Sequence, residues 1–119
     1  MKYFYTEVER ARICVTACLE FQKEHAIANI EDNPVGYHAK DSVSLDLSLW
    51  HKFKLTDLFT KIIPDFDLYG IMYVDEEDWK RLLTYAAKKS VWRDVVADVT
   101  PWVEDTFKNG NAYFMIIGV

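Results

Sequence analysis

Three patterns in the chain predict an α+β fold, a small mixed β-sheet of about three strands with helices mainly on one face. Val43, Leu45, Leu47 and Leu49 alternate with Ser42, Ser44, Asp46 and Ser48, the period of a strand with one buried and one wet face. Elsewhere apolar residues recur at helical spacing, in Leu55, Leu58, Phe59 and Ile62 and again in Trp79, Leu82, Leu83 and Ala86. Tyr113 to Ile117 is apolar on both faces, as a central strand must be. The run from Val43 to Val74 has about the length of a βαβ unit and keeps α/β as the alternative. The polar serine face argues against it, because a parallel sheet is covered on both sides.

Taken in order, Thr6-Glu7-Val8-Glu9 has the form of a capping box, Thr6 as cap and Glu9 reaching back. Val8, Ala11, Val15, Cys18 and Leu19 then share a helical stripe, so a helix is expected over about 7–28. A competing alternation runs through Ile13, Val15, Ala17, Leu19 and Phe21. Asn33-Pro34-Val35-Gly36 is turn chemistry. The serine-alternating strand follows, then the short Leu55–Ile62 helix stopped by Pro64, and a second strand over about 67–74.

Asp75 caps the next helix, with Glu76, Glu77 and Asp78 in its first turn. Ser90 marks a break before the face Val91, Trp92, Val95, Val96 and Val99, and Thr100-Pro101 is read as a restart. Asn109-Gly110 stops the last helix ahead of the closing strand. No repeat, low-complexity tract or linker interrupts residues 1–119, which read as a single domain.

Composition removes several functional classes. Half the 119 residues are hydrophobic and 15% are aromatic, far from the profile of a disordered chain. Fourteen basic against 19 acidic residues give a net charge of −5. The densest basic group is Lys88, Lys89 and Arg93, too small for the clustered cations that bind nucleic acid or an anionic membrane. No leader pattern is visible at Met1 to Glu9, and the apolar run from Ala112 to Val119 is too short to span a bilayer. With only Cys14 and Cys18 there is no disulfide framework, and cytoplasmic residence is expected.

No catalytic signature stands in the chain. Cys14, Cys18 and His25 fall on one predicted helical stripe, but Cys18 and His25 would lie about 10 Å apart along the axis, too far for one zinc ion. Asp65 and Asp67 beside Pro64 read as turn residues rather than an acid–base pair. His38, His51 and the serines form no nucleophile–base motif, and no glycine-rich phosphate loop is present. The Asp75–Asp78 run lacks calcium-loop spacing and is accounted for by the helix start. No catalytic residue, metal or cofactor is therefore assigned.

Aromatic residues and acidic charge leave protein recognition as the expected function. Trp50 falls on the Ser-Asp-Ser side of its predicted strand, and Tyr69 and Tyr73 share one side of the next. Exposed aromatics ringed by polar groups anchor protein interfaces. The candidate partner-binding set is Trp50, Tyr69, Tyr73, Asp75, Glu76, Glu77 and Asp78, facing a basic protein. In size, charge and lack of catalytic motifs the chain resembles the small, acidic, aromatic-rich inhibitors of bacteria and phages, immunity proteins among them. That resemblance rests on overall properties and not on particular residues. It implies neutralisation of a basic partner such as a toxin nuclease domain. The alternative is a small enzyme subunit or small-molecule-binding domain whose site assembles from distant residues.

Overall fold

The computed structural model describes residues 1–13, 17–24 and 40–118. In chain order these form β1 (Tyr5–Thr6), α1 (Glu7–Ile13), β2 (Cys18–Lys23), β3 (Val43–Asp46), α2 (Leu47–Lys52) and α3 (Leu55–Phe59). There follow β4 (Ile71–Asp75), α4 (Glu76–Ala86), α5 (Ser90–Lys108) and β5 (Tyr113–Ile117). The class is α+β, with five strands among the described residues rather than about three, in the order β1-β3-β2-β5-β4. Every pairing among the described residues is antiparallel, so they form no βαβ unit and the α/β alternative falls. No helix among the described residues is long and apolar enough to cross a membrane.

The core lies on one face of the sheet. Leu19, Phe21, Val43, Leu45, Val74, Phe114 and Ile116 present that face, and α2 to α5 cover it with Trp50, Leu58, Leu82, Val99 and Val103. Phe114 stands at its centre, ringed by Phe21, Trp79, Trp102 and Phe107 at centroid distances of 5.4 to 6.1 Å. β5 runs between β2 and β4, and Phe114 through Ile117 are all buried, as the two-sided apolar pattern requires. On the opposite face Met115, Ile117 and Tyr113 form a second, smaller cluster.

The long helix expected over 7–28 is not formed. The capping box is present: Glu9 N–H donates to Thr6 Oγ1 (3.3 Å) and Thr6 N–H donates to Glu9 Oε1 (3.0 Å). However, α1 ends at Ile13 and buries no residue. Residues 18–23 follow the competing alternation, with Leu19 and Phe21 toward the core and Glu20 and Gln22 buried on the other face. Burial of both faces outweighed helix propensity there. Cys14, His25, His38 and the Asn33-Pro34-Val35-Gly36 turn lie outside the described residues.

The serine-alternating strand is also shorter than its pattern. It stops at Asp46, whose carboxylate accepts from the N–H and the hydroxyl of Ser48 (both 2.8 Å) and caps α2. The serine face is not wet, since Ser42 and Ser44 are both buried. The Leu55, Leu58, Phe59 and Ile62 stripe is buried as read, although the helix itself covers only Leu55–Phe59. Further on, α5 continues unbroken through Pro101 to Lys108 rather than restarting. Asn109 and Gly110, the latter at φ +89°, end it as expected.

Candidate partner-binding surface

The surface is built where β4 hands over to α4. Asp75 is the last residue of the strand and the cap of the helix, extended at φ −90°, ψ 177°, with its carboxylate accepting from Asp78 N–H at 2.8 Å. The start-signal reading of the acidic run is thus realised locally. Trp79 and Leu82 of the next turn are buried and fix the helix to the core, while Leu83, expected to face inward, is 38% exposed.

Upstream, Asp67 makes a turn. Its carboxylate accepts from Tyr69 N–H at 2.9 Å and its carbonyl accepts from Gly70 N–H at 3.1 Å. Asp65 and Asp67 are therefore exposed turn residues and not a strand pair. Gly118 N–H donates to Gly70 carbonyl at 2.8 Å, and a Cβ on Gly118 would lie 2.0 Å from the Leu68 carbonyl oxygen. Only glycine permits this approach, which holds the turn against the end of β5.

Between turn and helix, β4 alternates strictly. Met72 and Val74 are buried, whereas Ile71 and Tyr73 are 52% and 54% exposed, and Tyr69 just before the strand is 81% exposed. Tyr73 stands edge-on to Tyr113 of β5 at a centroid distance of 5.2 Å. Burial pushes the Tyr113 phenol up from its ordinary value, with Glu24 adding to the shift. Large apolar side chains so exposed and so close in sequence form a patch rather than a scatter.

Charge on the rim is unevenly answered. Asp78 is bonded to Arg81 at 2.9 Å, and Glu77 lies 3.8 Å from Lys80. Asp65, Asp67, Asp75 and Glu76 have no cationic partner among the described residues. The acidic residues bracket the exposed aromatics at both ends of β4.

The structure thus brings together Tyr69, Tyr73, Asp75, Glu76, Glu77 and Asp78, and removes Trp50 from the set. Trp50 lies on α2, not a strand, and is fully buried. Its ring stacks on Phe66 (5.3 Å, 15°) and its indole N–H donates to Thr56 Oγ1 at 2.8 Å. The helix turned by the Asp46 cap rotates it from the serine side into the core. Ile71 and Tyr113 belong to the patch and were missed. Ile71 shares the period-two side of Tyr69 and Tyr73, a signal present in the sequence.

Other features are less suited to chemistry. Cys18 lies on β2, its thiol raised from its ordinary value by burial and lowered again in part by the neighbouring Ser44 hydroxyl. That hydroxyl makes no full hydrogen bond of its own, a contact with the thiol being at most a weak one. His51 is exposed on α2. Among the described residues no group of three or more His, Cys, Asp or Glu is placed to hold a metal ion. Between α4 and α5 lies an apolar groove of about 300 Å³, lined by Leu83, Ala86, Val96, Ala97 and Pro101 with Arg93 at its edge. No protein-family profile, curated protein or solved structure matches the chain.

Proposed function

We propose that the protein is a non-catalytic binding domain that uses the acidic, aromatic β4–α4 surface to engage a basic protein in the cytoplasm. The observation that carries this reading is the coincidence of exposed Tyr69, Ile71 and Tyr73 with unanswered carboxylates on both sides. Tyrosine is a common interface anchor, and an acidic rim speeds encounter with a cationic partner. A toxin nuclease domain is one partner of that chemistry, in keeping with the overall resemblance to immunity proteins.

Capture of the partner at two salt concentrations, with wild type and with Glu76→Lys/Glu77→Lys, tests the reading. The Debye length falls from about 30 Å at 0.01 M to about 10 Å at 0.1 M, so association should slow as salt rises. Charge reversal should remove that salt dependence and weaken capture. A partner whose binding ignores both salt and reversal would reduce the acidic run to a helix cap. The groove between α4 and α5 supports a second reading, a site for a small apolar molecule. Leu83→Trp would fill that groove and abolish such binding while sparing protein capture.

A further inference from the structure

The backbone of β4 carries information that its side chains do not. In an antiparallel pair, residues alternate between those that exchange N–H and C=O with the neighbouring strand and those that direct both groups away from it. Gly118 N–H bonds Gly70 carbonyl, and the β4–β5 register continues Ile71↔Ile117, Met72↔Ile116, Tyr73↔Met115. Met72 and Val74 therefore exchange hydrogen bonds with β5. Ile71, Tyr73 and Asp75 turn their backbone groups to the outside edge of the sheet. Among the described residues no strand pairs with that edge, and no hydrogen bond to the N–H or C=O of Ile71 and Tyr73, or to the N–H of Asp75, is present.

Asp75 carbonyl is committed to the first turn of α4, as a cap's carbonyl is. The groups left for another chain are N–H and C=O of Ile71 and Tyr73, with N–H of Asp75. Edge strands of this length are normally blunted by lysine, proline or a bulge. β4 has none of these in Ile71-Met72-Tyr73-Val74-Asp75.

We infer that β4 is a docking edge that accepts an extended, lysine- or arginine-bearing segment of a partner protein as a sixth strand of the sheet. This rests on the functional reading above and specifies its mode. Main-chain hydrogen bonds to Ile71 and Tyr73 supply affinity, and their side chains flank the added strand's outward residues. Charge selects the occupant. Asp65 and Asp67 lie at one end of the edge and Asp75 and Glu76 at the other, so cations at both ends of the added strand are matched. A second copy of this chain is the wrong occupant. Two copies would bring the same carboxylates and two net charges of −5 together, and antiparallel pairing about Ile71 would set Asp75 of one copy opposite Asp67 of the other, where like charges repel.

The probe is a short blocked peptide of alternating valine and threonine with lysine at each end, added to the full chain. Amide exchange and NMR shifts at Ile71, Tyr73, Met72 and Val74 are the readouts. The expected result is slowed exchange at Ile71 and Tyr73 on addition of peptide, with Met72 and Val74 already slow. N-methylation of alternate peptide amides should weaken binding about fivefold for each edge hydrogen bond lost. A glutamate-ended peptide should bind more weakly than the lysine-ended one. Tyr73→Pro, which removes an edge-directed N–H that the fold does not use, should keep the native spectrum and lose the peptide. The inference is overturned if the N-methylated peptide binds equally well, if shifts appear only at the start of α4, or if millimolar peptide leaves Ile71 and Tyr73 exchange unchanged. None of these outcomes bears on salt-sensitive capture of a basic partner through Glu76 and Glu77, by which the functional reading stands or falls separately.

Discussion

The two edges of the sheet are built in opposite ways. β1 is only Tyr5–Thr6, and the segment leading into it is clamped by Asp98 of α5, whose carboxylate accepts the backbone N–H groups of Lys2, Tyr3 and Phe4. Thr6 then leaves the sheet at once as the cap of α1. β4 runs for five residues, keeps the outward N–H and C=O of Ile71 and Tyr73 free among the described residues, and leaves their side chains half-exposed. A short, latched edge offers little for another chain to pair with, whereas an open one bordered by carboxylates offers hydrogen bonds and selects by charge. The difference closes one side of the sheet and leaves the other open to pairing.

The largest expected effect lies between the edges. Ile116 is fully buried on β5, so Ile116→Asp would bury an unpaired charge and cost at least about 4 kcal/mol, a large part of a domain's stability. Denaturant unfolding should show a collapsed midpoint; an equally stable variant would mean that the core face has been misplaced. Next comes a pair of prolines on β4. Met72→Pro removes a ladder hydrogen bond and a buried side chain and should cost about 2–4 kcal/mol, whereas Tyr73→Pro should cost about 1 kcal/mol or less. Equal costs would contradict the deduced orientation of the strand.

Asp98→Ala unlatches the other edge. It removes an acceptor from successive backbone donors and should cost about 2 kcal/mol, with faster amide exchange at Tyr3 and Phe4 and no change at Tyr73. Exchange that rises at both edges together would show that they are not independent.

The smallest effect is a pH dependence. Lys23 donates to Asp105 at 2.7 Å, and this hydrogen bond holds the Asp105 carboxyl below its ordinary value of 3.8. A depressed folded-state value contributes stability above the unfolded value and loses it as pH falls through the folded one. The stability gap between wild type and Asp105→Asn should therefore close below pH 3.8 and stay constant near neutrality. Partner binding at β4 should be indifferent to this substitution.

Much of the fold was legible where a pattern had one interpretation. Asp75 as cap, the Leu55 to Ile62 stripe and the two-sided Tyr113–Ile117 strand all stand where the sequence places them. Legibility failed where two periodicities overlapped. Residues 18–23 satisfy both a helical stripe and an alternation, and only the sheet partners β3 and β5 decide between them. Trp50 was misread for a related reason. A local side-chain cap at Asp46 ends the alternation, and a strand extrapolated past it puts the indole on the wrong side. Of the candidate surface, the tyrosines and carboxylates were readable from spacing alone. The openness of the β4 edge was not, because strand order is a property of distant pairing.

Amide hydrogen exchange along β4 in the protein alone tests the open edge most directly. The register predicts alternation, with slow exchange at Met72 and Val74, which bond to β5, and fast exchange at Ile71 and Tyr73. Uniformly slow exchange from Ile71 to Val74 would mean that the edge is already paired or covered, and the docking role assigned to it would be contradicted.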